Sequence, residues 1–224
     1  MRTKALLLTA ALTAAGIASS LAQNNVYSVN VVGYVNVVCS NGYTLVNTPL
    51  VATDSSITNL LDAYLPAGSS VLTFNGTTYV PFVKDEFDGT WNGPTTTLPN
   101  GMGYFIRNLS PTPVTVTYVG EVPQGTLVNT PAQGIYSLLG SKVPQAGFVE
   151  DLGIVPGLGD QILKYVNNGA GAGGFVAYAN DEFDGTWSGP GADVNKGPSV
   201  AVGEGFFYRN LSSAATWTRN FTVQ

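Results

Sequence analysis

Two stretches of this chain gather the side chains able to do acid–base or metal chemistry. They are Asp85-Glu86-Phe87-Asp88-Gly89-Thr90-Trp91 and its letter-for-letter recurrence Asp181-Glu182-Phe183-Asp184-Gly185-Thr186-Trp187, 96 positions later. Together they hold six of the 14 acidic residues. Three carboxylates within four residues, followed by glycine, offer the hard oxygen ligands that Ca²⁺ takes, which makes Asp85, Glu86, Asp88, Asp181, Glu182 and Asp184 candidate metal ligands, although the EF-hand spacing and its loop are not met. As a glycosidase pair the same carboxylates would have to face one another across a cleft at about 5–10 Å. A duplicated motif fits that poorly, because two identical catalytic sites in one small chain are unusual, while two identical binding or scaffolding sites are common. The competing reading is structural: an Asp-Gly turn delivers Trp91 and Trp187 to equivalent core positions as anchors, and the acids stay in water.

The rest of the composition removes most other chemistry. Histidine is absent, which excludes Ser-His and Cys-His nucleophile systems, and with Cys39 as the single cysteine it also excludes ordinary zinc sites and any intramolecular disulfide. Cys39 reads as a small buried apolar residue. Residues 1–22 carry the pattern of a signal peptide: Arg2 and Lys4, an apolar run from Ala5 to Ala18, and a small-x-small site at Ser20-Leu21-Ala22. That run is short of the ~20 residues needed to span a bilayer, so no transmembrane segment is expected. Removing the leader leaves seven Lys or Arg (nine, less Arg2 and Lys4) against 14 Asp or Glu. No basic cluster exists to neutralise phosphates, so nucleic acid is not an expected partner.

The elements that position the two acidic stretches are read as strands. Charged residues are only 10% of the chain against a usual ~25%, and Val, Thr, Tyr and Phe are abundant, a β composition. Other matches flank the repeated heptapeptide. Gly103 to Ser110 corresponds to Gly205 to Ser212, and Gly68 to Phe74 to Gly159 to Tyr165, with length changes collected at Gly-rich turns. The expected fold is all-β: two tandem pseudo-repeats, each a small β-sandwich or partly open barrel, with one short helix in the first. Domain bounds are 23–119 for the first β repeat and 120–224 for the second, and Tyr118 to Val122 is expected to close one copy and open the other. The helix is placed on Ile57, Leu60, Leu61, Tyr64 and Leu65, capped by Asp54 or Ser55. Asn75-Gly76 favours a type I′ hairpin turn, and Gly33 suits a bulge in a strand running from Val26 to Val38.

That amino-terminal strand, VYSVNVVGYVNVV, together with the joint GEVPQGTL at Gly120 to Leu127, the Gly-x-Gly-[Tyr/Phe]-Phe strands and the closing WTRNF at Trp217 to Phe221, resembles a large group of uncharacterised bacterial secreted tandem-repeat all-β proteins. The resemblance covers essentially the whole chain after the leader. It implies an exported all-β protein and no particular activity.

The function expected from the residues is non-enzymatic: a secreted extracellular or cell-surface structural protein. No charge occurs from Gln23 to Thr53, and an uncharged strand must be paired centrally or given to another chain. Val26, Tyr27, Val29, Val31, Tyr34, Val35 and Val37 therefore form a candidate assembly strand, through which copies would associate into fibres. The alternative is a carbohydrate-binding or adhesion module, with or without stabilising calcium. Polysaccharide would stack on Tyr79, Phe82, Phe87, Trp91 and Tyr104, and on Phe175, Tyr178, Phe183, Trp187 and Phe206.

Overall fold

In central strands the alternation of side chains decides which core each residue enters. The computed structural model describes residues 31–169, 173–212 and 216–223; the expected leader and Val26, Tyr27 and Val29 lie outside the described residues. The first half runs β1 (Val32–Cys39), β2 (Gly42–Asn47), helix α1 (Ile57–Leu61), β3 (Ser70–Phe74), β4 (Tyr79–Val83), β5 (Gly103–Asn108) and β6 (Val114–Glu121). β1 and β6 form an antiparallel ribbon, while β2-β5-β3-β4 form a second sheet. Between them lies a core of Val116 and Tyr118 from the ribbon, Val46, Val71, Tyr104 and Ile106 from the sheet, and Ile57, Leu60 and Leu61 from α1.

The second half repeats this layering. β7 (Gly125–Asn129) pairs with β16 (Thr216–Phe221), which also carries β10 (Ile154–Val155). β8 (Tyr136–Gly140), β15 (Gly205–Arg209), β11 (Gln161–Asn167), β12 (Gly173–Asn180) and β13 (Trp187–Ser188) make the larger sheet, and β9 (Gly147–Phe148) pairs with β14 (Ser199–Val200). Its core is built on Ile162, Tyr178, Trp187, Phe206, Tyr208 and Trp217. Among the described residues the architecture is all-β with one α-helix, and none of its five sheets closes into a barrel.

A third core joins the outer faces of the two larger sheets. Tyr104 and Ile106 point into the first core while Phe105 between them points outward, and Phe206 and Tyr208 flank Phe207 in the same way. Leu45, Phe105, Leu138 and Phe207 meet between the sheets, so the layers run ribbon, sheet, sheet, ribbon. Main-chain bonds tie the halves at their edges: Asn47 N donates to Gly203 O at 2.8 Å and Gly140 N to Gly101 O at 3.0 Å. Glycine is required where these edges meet. A Cβ on Gly103 would lie 2.9 Å from the Leu139 backbone, and one on its counterpart Gly205 would lie 2.5 Å from Val46 O.

Four local expectations are corrected. The Tyr118 to Val122 stretch is not shared between copies: β6 is paired with β1, and the second half opens with its own strand, β7. Gly33 forms no bulge, since it sits in unbroken register opposite Gly120. There Gly120 lets the chain pass Val51, whose carbonyl oxygen would be 2.5 Å from a Cβ. The β3–β4 connection is a four-residue loop, Asn75 to Thr78, rather than a type I′ turn; Asn75 Oδ1 accepts from Thr77 N (3.0 Å) and Thr78 N (2.8 Å), and only Gly76 has positive φ. The α1 cap is Ser56, whose hydroxyl accepts from Asn59 N, while Asp54 Oδ1 holds Ser56 N at 2.8 Å. The helix also stops at Leu61, short of Tyr64, which instead donates its hydroxyl to Thr117 O at 3.1 Å.

The glycine contacts give a direct test of the joint between halves. Gly103→Ala and Gly205→Ala should each destabilise the protein by about 1–3 kcal/mol through overpacking, with Gly205→Ala the worse of the two. Urea unfolding measures the difference, and an unchanged midpoint in both variants would contradict the close approach.

Candidate functional site

Both heptapeptides fold into the same self-contained loop. Asp85 Oδ1 accepts from Phe87 N (2.7 Å) and Asp88 N (3.1 Å), and Asp88 Oδ1 accepts from Thr90 N (2.8 Å) and Thr90 Oγ1 (2.7 Å). In the second loop Asp181 Oδ1 accepts from Phe183 N (2.7 Å) and Asp184 N (3.2 Å), and Asp184 Oδ1 from Thr186 N (2.9 Å) and Oγ1 (2.7 Å). Asp85 N and Asp181 N close the loops onto Thr90 O and Thr186 O, each at 2.7 Å. Gly89 and Gly185 turn the chain at φ 71° and 72°, a region that disfavours a side chain. Bonds from Thr90 and Thr186 hold the carboxyls of Asp88 and Asp184 below the usual range.

These bonds decide what the acids are arranged to do. Among the described residues no group of three or more His, Cys, Asp or Glu is placed to hold a metal ion, so Asp85, Glu86 and Asp88 are not gathered around one point, nor are Asp181, Glu182 and Asp184. The aspartates satisfy their own backbone, as Asx turns do. Cys39 is buried in the first core, and burial pushes its thiol up to about 12.

Each loop ends by sending its tryptophan inward. Trp91 is buried, and its Nε1 donates to Asp62 Oδ1 at 3.0 Å. Asp62 pairs with Lys84 at 2.9 Å, and the hydrogen bond from Lys84 is the main cause that holds its carboxyl below the usual range. Trp187 is likewise buried and donates to Glu150 Oε1. The lysine has no equivalent here, because Asn180 stands where Lys84 does in the first copy. Glu150 Oε2 is buried without a partner, and burial raises its carboxyl pKa, with Asp151 and Asp193 adding to the rise.

The ten aromatic candidates for stacking go three ways. Trp91, Tyr104, Tyr178, Trp187 and Phe206 are buried, and Phe82 packs half-buried on the first core. Phe87 and Phe183 at the loop tips are 98% and 86% exposed. Tyr79 and Phe175, both partly exposed, line two hollows between the sheets. One, of about 280 Å³, is lined by Tyr43, Leu72, Tyr79, Phe105, Tyr165 and Phe175. The other, of about 160 Å³, is lined by Tyr136, Leu163, Phe175, Phe207, Phe74 and Tyr79. In that order the two sets are counterparts between the copies, position by position. Phe105 meets Tyr165 edge-to-face at 5.1 Å, and the counterpart pair Phe207 and Phe74 does so at 5.2 Å. The guanidinium of Arg107 lies 5.8 Å from the Tyr43 ring and that of Arg209 5.6 Å from the Tyr136 ring, within cation–π range.

Most hollow-lining residues escape a search for chemistry in the sequence, because Tyr43, Phe105, Tyr136 and Phe207 look like ordinary strand apolars. Their signal is that Arg107 and Arg209 follow Phe105 and Phe207 by two residues, on the same strand face, in both copies. No family model, curated protein or solved structure matches the chain. No helix among the described residues is long and apolar enough to cross a membrane.

Two outcomes test the loops as tryptophan holders. Trp91→Ala and Trp187→Ala should each cost about 3–5 kcal/mol in urea unfolding. Glu150→Gln should separate the two copies by pH. A raised folded-state pKa means that Glu150 favours the fold most while protonated, below its ordinary 4.5, and that this contribution is lost as pH rises through the raised value. The variant does not titrate, so its thermal midpoint should exceed that of the wild type at neutral pH and the gap should close near pH 4. A gap independent of pH would show that burial of the charge is not its cause.

Proposed function

We propose that this chain is a non-catalytic structural protein of the extracellular space or cell surface whose copies associate through the β1–β6 ribbon. The observation that carries this reading is the ribbon's outer face. Val32, Tyr34 and Val38 are exposed along β1, Tyr34 at 75%, and the exposed Val119 lies opposite Tyr34 on β6. Val31 O accepts from Val122 N at 2.7 Å, and alternation in an antiparallel ladder then turns the main-chain groups of Val32, Tyr34, Asn36 and Val38 away from β6. That edge carries no third strand among the described residues, as β1 and β6 make a sheet of two. Exposed uncharged edges of this kind template pairing with another chain.

Electrostatics favours the same place. Copies of an acidic chain repel, so they approach most easily where charge is absent, and Glu121 is the only charged residue in the ribbon. In the counterpart ribbon of the second half the exposed positions are mostly polar: Thr126, Thr216, Thr218 and Asn220 face out beside the single apolar Val128, with Thr126 bonded to Asn220. The contact proposed here is edge addition rather than donation of β1. Val35 and Val37 pack on the protein's own first core, and the strand from Val32 onward is already paired with β6. Export rests on the leader-like residues 1–22 and on the resemblance to secreted repeat proteins. Polysaccharide binding has less support, because half of the proposed stacking rings are buried.

Sedimentation across a concentration series tests this. The wild type should form assemblies, and Tyr34→Lys with Val38→Lys, both at exposed positions, should weaken association at least tenfold without lowering the unfolding midpoint. A wild type that stays monomeric at every concentration would sink the proposal. Polysaccharide pull-down by that monomer would favour the carbohydrate reading.

A further inference from the structure

We infer that the two aromatic hollows are receptor sites for the exposed phenylalanines, Phe87 and Phe183, of a second copy of this chain, with the neighbouring carboxylates meeting Arg107 and Arg209. The inference rests on the self-association proposed above but places a contact on a different surface.

The fold accounts for most, but not all, of each heptapeptide. Asp85 and Asp88 hold their own loop, Gly89 takes the left-handed turn, Thr90 bonds Asp88, and Trp91 fills the core. Those five identities follow from internal contacts, and the same five follow in the second loop. Phe87 has no such reason, and Glu86 only lies along Gly68, where a Cβ would come within 3.2 Å of its Cγ. The ring is almost wholly in water, and no hydrogen bond or ion pair holds either glutamate among the described residues. Yet Glu-Phe is identical in both copies, while the residues just outside differ: Phe82-Val83-Lys84 against Tyr178-Ala179-Asn180. A rigid loop that twice presents a bare phenyl ring beside an acid is built to be recognised from outside.

The recognising surface is on the same molecule, also twice. A dry apolar cavity of about 150 Å³ accepts a benzene ring, and the hollows measure about 280 and 160 Å³. Their walls offer ring edges and faces for edge-to-face contact. Arg107 and Arg209 stand beside them, and neither has a carboxylate partner among the described residues, where the ion pairs are Lys84–Asp62, Lys164–Glu204 and Lys196–Asp151. Each hollow thus asks for a flat apolar ring next to an anion, and each loop supplies one. Because knob and hollow are different surfaces, the contact is heterologous.

Sedimentation of the full chain carries the test. Phe87→Ser with Phe183→Ser removes two solvated rings, so the fold should be unaffected while association weakens at least tenfold. Arg107→Glu with Arg209→Glu should weaken it similarly, and mixing that chain with one carrying Glu86→Lys and Glu182→Lys should restore hetero-association, which loss of fold could not produce. A synthetic Asp-Glu-Phe-Asp-Gly-Thr-Trp peptide should compete, and its Phe→Ser form should not. Association unaltered by the serine variant but abolished by Tyr34→Lys would overturn this inference and leave the ribbon contact standing. A wild type monomeric at all concentrations would overturn both. If 3-phenylpropionate fills the hollows while the serine variant associates as strongly as wild type, the hollows take free aromatic acids instead of a second copy.

Discussion

Everything in this molecule is arranged about the packing of one sheet's outer face on the other's, where Phe105 and Phe207 stand 6.4 Å apart. This contact makes β5 and β15 strands with two buried faces, which is why Gly103 to Ile106 and Gly205 to Tyr208 read as unbroken apolar runs. The constraint reaches further than those two strands. Glycine is forced at positions 103 and 205, where the sheets' edges touch, and the arginines at 107 and 209, on the same face as Phe105 and Phe207, fall where the packing opens to solvent. Two adjacent hollows, sharing Tyr79 and Phe175 as walls, appear because large rings meeting edge-to-face leave gaps that aliphatic side chains would fill.

The same duplication separates what the fold needs from what it tolerates. In the first copy the tryptophan reaches an aspartate neutralised by Lys84, which also donates to Asp62 O and Leu65 O at the end of α1. In the second it reaches a glutamate with no cation partner among the described residues, in a region where turns and two-residue strands replace the helix. Both serve, because the indole N–H needs an acceptor and the ring needs a cavity, and neither requirement specifies the element that supplies them. Buried polar groups differ more: Asp160 is satisfied by Tyr208 Oη, Leu211 N and Gly157 N, while its counterpart Ser69 buries a hydroxyl with no hydrogen-bond partner among the described residues.

How much of this was legible in the sequence depends on the range of the interaction. All-β character and the α1 stripe are written in local pattern and composition, and Ile57, Leu60 and Leu61 are buried in the structure. Errors came where a local preference met a tertiary demand. Asn75-Gly76 prefers a tight turn, yet Phe74 pairs with Tyr79, and the loop must span four residues. Gly33 resembles a bulge because nothing in the sequence says that Gly120 will face it. The hollows were the least legible feature. Their walls come from β2, β3, β4, β5, β11 and β12, and no window of sequence brings Tyr43 near Phe175.

The acidic heptapeptides show why motif chemistry misleads when read without geometry. Three carboxylates followed by glycine suit a cation only if their oxygens converge, and here one oxygen of each aspartate, Oδ1, is held by groups two or three residues ahead. A loop that spends one oxygen of each aspartate on its own main chain and threonine gains local order. Rigidity matters only for what the loop displays, and what it displays is the side chain at its tip. The contact inferred above uses the loop as a mount for Phe87 and Phe183. That fits its sequence: the mount and the displayed ring are unchanged between copies, while the supports beneath, Lys84 or Asn180 and Asp62 or Glu150, have been free to differ.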